Sequence, residues 1–213
     1  MMNLMIDHLV FASNDLPSAS ATVAELLGFT PTPGGHHVGK GTYNELLPLG
    51  GATYLEVIGP DPQQSAPEGP RPFGIDGLTR SALVAWCVRP RRPLPQIITE
   101  SRAIGVELGE VSAMSRRRPD GVLLEWELTL PQLAGPFGMA LPFMIDWADS
   151  THPTESLPAG AELVELTVHH PRPDALQAAL DIMGVGYRVR VAEGSPGLWA
   201  TITSPRGEVT LTS

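Results

Sequence analysis

Three short helical patterns, each ended by a glycine, recur along the chain at nearly equal intervals. The stops fall at Gly28, Gly105 and Gly184, which are 77 and 79 residues apart. A glycine just after the last apolar position of a helix is typical of a left-handed C-cap. Each pattern follows a strand-like run and precedes several shorter ones. The chain is therefore predicted to contain three copies of a unit with one strand, one helix and three strands, written βαβββ.

Apolar residues at helical spacing mark the helices, and Asn14 and Asp15 are candidate caps of the first. The apolar sets are Leu16, Ala19, Val23, Leu26 and Leu27; Leu94, Ile97, Ile98 and Ile104; and Leu176, Ala179, Leu180 and Met183. The leading strands are predicted over Met5 to Ser13, Ala82 to Arg89 and Glu162 to His169. The other strands are predicted at 30–33, 42–49 and 53–58; at 106–114, 122–130 and 141–147; and at 187–191, 198–203 and 208–212.

The odd number of units bears on how they assemble. One βαβββ unit has a single apolar sheet face that it cannot bury alone, so units must pair. Three units leave one unpaired, which favours a homodimer, unless the third unit covers an edge of the first pair. Connectors rich in proline and glycine separate the units at 60–77 and 150–160. The first connector is long enough to be a lid or a crossover.

Composition and charge exclude several classes of protein. The chain has 213 residues, 42% hydrophobic and 17% charged, which is typical of a globular protein. Its formal net charge of −9 would repel a nucleic acid. The one basic run, Arg116-Arg117-Arg118, leads into Pro119-Asp120-Gly121 and is predicted to be an exposed hairpin rim. No run of about 18 apolar residues occurs, so we expect no membrane span.

The single cysteine and the N-terminal residues indicate the compartment. Cys87 lies inside an apolar strand, where a buried small hydrophobe is the expected role, and no intrachain disulfide is possible. The start of the chain lacks the basic residues that precede the apolar part of a secretory signal. We therefore expect a soluble protein of the cytoplasm whose partner is a small molecule, with neither nucleic acid nor membrane.

Polar residues inside apolar strands identify the candidate site. His8 and Glu56 are each flanked by apolar residues, and both are costly to bury without partners. The segment between them, Gly34 to Asn44, is rich in glycine and carries His37. His37 could be an acid or base or could stabilise the loop, and Asn44 could orient a substrate carbonyl or cap a turn. His8 could equally be a core histidine bonded to a neighbouring strand.

Four stretches together resemble the glyoxalase-like domain family of the vicinal oxygen chelate superfamily. They are Ile6-Asp7-His8-Leu9-Val10, the segment Gly34-Gly35-x-His37-x-Gly39-x-Gly41-Thr42-x-Asn44, Tyr54-Leu55-Glu56-x-Ile58-Gly59, and Pro142-Phe143-Met144-Ile145-Asp146-Trp147. The resemblance covers Met5 to about Asp149. The third unit resembles the superfamily module only in its pattern.

The resemblance implies an α+β fold in which βαβββ modules pair into a curled mixed β-sheet cup with helices on the outside. It implies a paired domain at 1–149, with modules at 1–60 and 80–149, followed by a third module at 160–213. It also implies a divalent metal such as zinc, iron, manganese or nickel, bound from the first and fourth strands of paired modules. A protein without metal is equally compatible with the resemblance.

His8 and Glu56 fall on the two strands that carry the implied ligands in the first module. In the second module, alignment of Leu94 with Leu16 places Trp86 where His8 stands, and an indole cannot ligate a metal. Asp146, on the last strand of that module, is then the expected third ligand. The resulting set of His8, Glu56 and Asp146 has one imidazole and two carboxylates.

Two hypotheses of function follow. The first is an isomerase, lyase or dioxygenase acting on a substrate with adjacent oxygens, with or without metal. In it, His8 and Glu56 are the metal or acid–base pair, His37 is a second base, and Asn44, Trp86 and Asp146 contact the substrate. The second is a binding or resistance-type module that holds a small molecule without metal, in which Trp86 provides stacking surface. A third interpretation is a structural subunit with a relict cup, which would show neither metal dependence nor ligand binding.

Overall fold

A computed structural model describes residues 6–118, 120–158 and 160–213. Met5, Pro119 and Ala159, which belong to elements predicted above, lie outside the described residues. Twelve strands occur in the described ranges: β1 Ile6–Ala12, β2 Thr32–His37, β3 Thr42–Pro48, β4 Tyr54–Pro60, β5 Ala82–Val88, β6 Val111–Arg117, β7 Leu123–Thr129, β8 Phe143–Asp146, β9 Glu162–His170, β10 Arg190–Glu193, β11 Gly197–Ser204 and β12 Gly207–Thr212. The helices of those ranges are α1 Leu16–Leu27, α2 Leu94–Ala103 and α3 Pro173–Met183, with short 3-10 helices at Pro72–Gly77, Gly138–Ala140, Pro153–Glu155 and Gly186–Arg188.

The first two modules close into one barrel. Its strand order is β1-β4-β3-β2-β6-β7-β8-β5, with β5 pairing back onto β1. The modules join at two antiparallel seams, β1 with β5 and β2 with β6. Within each module the first and fourth strands are parallel. The predicted α+β fold is confirmed, and the helices lie outside the curled mixed sheet.

The helix ends follow from local chemistry that the sequence already indicates. The Asp15 side chain accepts a hydrogen bond from the Ser18 N–H at 3.1 Å, which caps α1. Gly28 and Gly184 both take the left-handed conformation, with φ of 73° and 79°. Ile104 lies beyond the end of α2 and is exposed, so its predicted place on the apolar face is wrong. None of the helices among the described residues is long and apolar enough to cross a membrane.

Two strand boundaries differ from the prediction in a way that matters for the site. Gly34 and Gly35, predicted to belong to a loop, lie within β2, and the turn is confined to residues 38–41. Strand β6 starts later than predicted and extends to Arg117. Arg116, predicted to be on an exposed rim, is therefore an inward strand residue and is only 3% exposed.

The third module forms a separate four-stranded sheet in the order β10-β9-β11-β12. Its apolar face and α3 share one hydrophobic core with α1, α2 and the outer face of β5. Arg206 donates to the Glu25 carbonyl at 2.8 Å, and Leu163 N–H donates to the Leu49 carbonyl at 2.9 Å. The third sheet thus buries its face within its own chain, which removes the unpaired unit from which a homodimer was inferred. The homodimer and the division into two domains stay predictions.

Candidate active site

A cavity of about 270 Å³ lies inside the barrel. Its polar lining comes mainly from the first module: His8, His37, Lys40, Thr42, Asn44, Tyr54 and Glu56, with Arg116 from the second. The apolar lining comes mainly from the second module: Met114, Trp126, Leu128, Leu130, Pro131, Phe143, Ile145 and Trp147, with Ile58 from the first. The cavity is therefore polar on one side and apolar on the other.

Strand alternation aims the polar side chains inward. His8 shares the inner face of β1 with Val10 and Ala12, and Glu56 shares that of β4 with Tyr54 and Ile58. Simple alternation would put Ile6 on the same face as His8. Ile6 belongs to the outer core, because the pairing of β1 with β5 shifts register between Ile6 and His8. His37 and Asn44 reach the same space from β2 and β3. The structure thus brings together four of the residues predicted for the site.

Glu56 lies between the two imidazoles. The Asn44 side-chain N–H donates to Glu56 Oε1 at 2.6 Å. His8 Nε2 lies 3.8 Å from Glu56 Oε2, and His37 Nε2 lies 3.8 Å from Glu56 Oε1. Both separations are too long for a direct hydrogen bond. The two ring nitrogens therefore face the carboxylate without sharing a proton with it.

A buried carboxylate behind the cavity fixes the orientation of His8. Asp7 is fully buried, and its Oδ1 lies 2.8 Å from His8 Nδ1. The indole N–H of Trp147 and the Nε2 of His152 contact its Oδ2 at 3.0 and 3.1 Å. Burial alone would raise the pKa of Asp7, but the hydrogen bonds from His152 and His8 outweigh it and hold this pKa well below its usual range. Because ionised Asp7 only accepts, His8 donates from Nδ1, and Nε2 is the ring nitrogen that faces Glu56.

His152, from the connector after β8, was not identified from the sequence. Its Nδ1 accepts a hydrogen bond from the Thr154 N–H at 3.3 Å, so Nε2 is the atom that donates to Asp7. Asp7 was also missed as a candidate. The signal for Asp7 was present, since it is a charged residue in an apolar strand like Glu56, whereas nothing local distinguishes His152.

His37 is a neutral imidazole in this structure. Burial lowers its pKa to about 4, and the nearby Glu56 carboxylate offsets only part of that effect. Its Nδ1 lies 3.1 Å from Thr42 Oγ1. When His37 donates from Nδ1 to Thr42, its Nε2 lone pair faces Glu56.

Two predicted site residues lie elsewhere. Trp86 is fully buried in the core outside the barrel and donates its indole N–H to the Ala140 carbonyl at 3.1 Å. The pairing of β1 with β5 places Cys87, not Trp86, opposite His8, so the alignment that put Trp86 in the cup was wrong by one residue. Asp146 is exposed and accepts from the Ala148 N–H at 2.9 Å, while Ile145 lines the cavity. Asp146 therefore cannot complete a ligand set with His8 and Glu56.

A second group of possible metal ligands lies beside the cavity. Asp7, His8 and Cys87 have ligand atoms within 4.8 Å of one another. Both oxygens of Asp7 already accept hydrogen bonds, and burial raises the pKa of the Cys87 thiol well above its usual value. A protonated thiol is a poor metal ligand. This group is better explained as packing around the Asp7 network, with Cys87 in the buried role expected of it.

The connector between the first two modules contributes to the cavity wall through Pro70, Pro72 and Phe73. Phe73 has a positive φ of 60° and packs against Phe143, with ring centroids 5.9 Å apart. The segment is held by Arg71, which donates to the Gly41 carbonyl at 2.9 Å. The connector predicted to be a lid or a crossover therefore closes part of the cavity.

Comparison with known proteins agrees with this architecture. The model of the glyoxalase-like domain family matches residues 6–183. The chain therefore belongs to the glyoxalase-like domain family. No curated protein matches the sequence.

Among solved structures, a hypothetical protein from Staphylococcus aureus is similar over 97% of this chain and 84% of its own, with 14% identity and a TM-score of 0.60. Methylmalonyl-CoA epimerase from Mycobacterium tuberculosis matches 70% of this chain and 93% of its own, with 18% identity and a TM-score of 0.42. A mutant of 4-hydroxymandelate synthase from Streptomyces coelicolor matches 100% of this chain and 63% of its own, with 13% identity and a TM-score of 0.49. At these identities the similarity to the Staphylococcus protein concerns the fold alone.

Proposed function

We propose that this protein is a small-molecule enzyme that acts on a substrate with adjacent oxygens, assisted by a divalent metal held by His8, His37 and Glu56. One observation carries the proposal. Two imidazole nitrogens face the same buried carboxylate at 3.8 Å with no hydrogen bond between them. Buried polar groups that face one another without a hydrogen bond need a further partner, and a cation would provide one. His37 replaces Asp146, which was predicted to be the third ligand.

The donor set suits a divalent metal. Ligand atoms bound about 2 Å from one metal lie roughly 3 to 4 Å apart. Each imidazole lies 3.8 Å from Glu56, but from a different carboxylate oxygen, so the three side chains must move closer together to bind one ion. Two imidazoles and one carboxylate are ligands for zinc, iron, manganese and nickel. The Asp7 contact to His8 Nδ1 is the kind of outer partner that orients a metal-bound histidine. A bound metal would polarise a substrate carbonyl or enediolate oxygen as a Lewis acid.

The surrounding residues support an enzyme rather than a structural cation site. Asn44 and Tyr54 line the cavity beside Glu56 and provide hydrogen-bonding groups for substrate oxygens. His8 stacks on Tyr54 with ring centroids 4.8 Å apart, which limits rotation of the imidazole. The apolar wall opposite can exclude water from the reacting atoms.

Thermal unfolding with added metal tests this proposal. A divalent metal at about 100 times its Kd should raise the Tm of chelator-treated protein by about 5–10 °C. His8→Ala and Glu56→Gln should abolish the rise. His36→Ala is the matched control, because His36 is the neighbouring imidazole, is partly exposed and pairs with Asp61 at 2.6 Å outside the cavity wall. No rise in the wild type, or an equal rise in the His8→Ala variant, would contradict the metal site.

A binding module without metal is the second candidate. The apolar wall favours it, because Trp126 and Trp147 pack with ring centroids 5.2 Å apart and both line the cavity. This candidate predicts metal-independent ligand binding that quenches tryptophan fluorescence, with no turnover.

A homodimer and a cytoplasmic location also stay predictions. Light scattering of the purified protein tests the homodimer.

A further inference from the structure

Arg116 is a buried cation that makes no ion pair with any of the described residues. Its side chain lines the cavity, and the residue is 3% exposed. Its Nη1 donates to Asn44 Oδ1 at 3.4 Å, which is a long hydrogen bond. Among the described residues, no carboxylate lies within 4.0 Å of its guanidinium. A guanidinium stays charged and carries five N–H donors, so a cavity that buries one needs an anion to complete it.

Asn44 keeps this guanidinium apart from Glu56. The Asn44 amide donates to Glu56 Oε1 through its nitrogen and accepts from Arg116 through its oxygen. Glu56 therefore faces the two imidazoles and makes no ion pair with Arg116. The charge of Arg116 remains available on the other side, and Lys40 adds a second positive charge to the exposed part of the lining.

The paired glycines of β2 create the space that Arg116 fills. A Cβ added to Gly34 would lie 2.7 Å from Arg116 Nη1 and 2.3 Å from Asn44 Oδ1. A Cβ added to Gly35 would lie 3.1 Å from Arg116 Cγ. The lack of side chains at these glycines lets an arginine and an amide approach the backbone. The glycine-rich start of the Gly34 to Asn44 segment thus serves to position Arg116.

The neighbours of Arg116 inside the barrel are apolar. Met114 is the next inward residue along β6 and pairs with Trp126 on β7. Leu128 and Ile145 continue this wall onto β7 and β8. A ligand that pairs with Arg116 must therefore have a hydrocarbon part next to its anionic group. The small cavity, with one buried cation among its described lining residues, suits a monoanionic carboxylate.

We propose that the cavity binds an apolar monocarboxylic acid, with its carboxylate on Arg116 and its hydrocarbon part on the wall of Met114, Trp126 and Leu128. This inference rests on the proposed function in one respect. With the carboxylate on Arg116, an oxygen on the neighbouring carbon would face His8, His37 and Glu56. The substrate class is thus an apolar 2-oxo or 2-hydroxy acid. The anion site itself requires no metal.

Three ligands with one hydrocarbon part and different head groups test the site by calorimetry on the purified protein. They are 3-phenylpropanoate, 3-phenylpropanamide and 3-phenylpropylammonium. The carboxylate should bind about 10-fold or more tightly than the amide, and the ammonium should not bind. Equal affinity for acid and amide, preference for the amine, or no detectable binding of the acid would overturn the proposal.

Variants test whether Arg116 causes the preference for the acid over the amide. Arg116→Met should remove the preference for acid over amide, and Arg116→Lys should keep part of it, because it retains the charge without the two-pronged geometry. Arg117→Met is the matched control, since Arg117 is the next residue on β6, is exposed and donates to the Gly121 carbonyl at 2.8 Å. Where Arg116→Met does not fold, the wild-type preference and the Arg116→Lys variant still decide the question.

Chelator treatment separates this proposal from the metal site. None of the three ligands has adjacent oxygens, so their binding does not depend on turnover. The preference for the acid should persist after metal removal. A preference that disappears with the metal and is unaffected by Arg116→Met would place the carboxylate on the metal and overturn the anion site. A persistent preference in a protein that binds no metal would support Arg116 and contradict only the metal site.

Discussion

At the scale of single residues, the site depends on a carboxylate that does not face the cavity. Asp7 accepts hydrogen bonds from His8, His152 and Trp147 and thereby links β1 to the segment after β8. A buried carboxylate with three donors is well satisfied, whereas any replacement leaves some of those donors without partners. Asp7 is therefore a positioning residue for His8 as well as a stabilising one.

Asp7→Asn should lower the free energy of unfolding by about 2–4 kcal/mol, because it removes a buried charge and turns an amide N–H toward existing donors. It should also weaken metal binding about 10-fold to 100-fold, as expected when the outer partner of a ligating histidine is lost. Urea unfolding and metal titration measure the two effects. Asp149→Asn is the control, since Asp149 is exposed. Unchanged metal affinity in a folded Asp7→Asn protein would exclude the positioning role.

His37 predicts how stability depends on pH in the metal-free protein. Its folded pKa of about 4 lies below the ordinary value of 6.5, so only the unfolded chain takes up a proton on this residue between those pH values. Stability should therefore be unaffected by His37 above pH 6.5 and should fall by roughly 3 kcal/mol as the pH decreases from 6.5 to 4. Urea unfolding of chelator-treated His37→Gln should show a smaller decline, while His36→Gln should match the wild type. Equal declines in all three proteins would show that His37 is not held neutral.

Site residues could be predicted from the sequence where a titratable side chain stands inside an apolar strand. His8 and Glu56 were predicted on that basis, and they do face each other. Arg116 was missed because three consecutive arginines before a turn have the composition of an exposed rim. Asp146 was misplaced because a shift of one residue in a strand moves a side chain to the opposite face of the sheet. No local pattern fixes that register.

At the scale of elements, strand β2 determines the shape of the polar wall. Gly34→Ala should displace the side chains of Arg116 and Asn44, because the added methyl would lie 2.7 and 2.3 Å from their polar atoms. We expect binding of 3-phenylpropanoate to weaken by about 10-fold or more. Gly69→Ala is the matched control, since nothing lies within 4 Å of a Cβ at that position. Unaltered affinity in a folded Gly34→Ala protein would show that the paired glycines do not position Arg116.

The sequence predicted helices better than strands. Each helix has its own cap signals, such as Asp15 before α1 and Gly184 after α3, and these act over a few residues. Strand β2 was truncated in the prediction because glycines and a proline are typical of loops. Hairpin pairing with β3 and the contact with β6 across the barrel seam hold those residues in the sheet, and the second of these contacts leaves no local trace in the sequence.

At the scale of the whole molecule, the third module completes the core instead of exposing a surface. Leu180, Ile202 and Leu211 from this module are buried in the same cluster as Leu16 and Ile97 from the helices around the barrel. Because the two sheets share one core, we expect them to unfold in one transition. The sequence pattern predicts three similar units, but only the folded structure shows where the third unit packs.

Ile202→Ala should lower the free energy of unfolding by about 2–4 kcal/mol, since Ile202 is fully buried where the third sheet meets the barrel. Val164→Ala, on β9 of the same sheet, should change it by less than about 0.5 kcal/mol because Val164 is 56% exposed. Urea unfolding followed by tryptophan fluorescence and by circular dichroism should give coincident curves. Two separated transitions would instead support an independent domain at 160–213.

The central claim is that one divalent metal is bound by side chains of three strands in the barrel. Elemental analysis of the purified protein, with His8→Ala, His37→Ala and Glu56→Gln as variants and His36→Ala as the control, tests it most directly. The account predicts close to one metal per chain in the wild type and in His36→Ala, and a large loss in each of the other three. Full metal content in all variants, or no metal in the wild type after growth and reconstitution with zinc, iron, manganese and nickel, would contradict it.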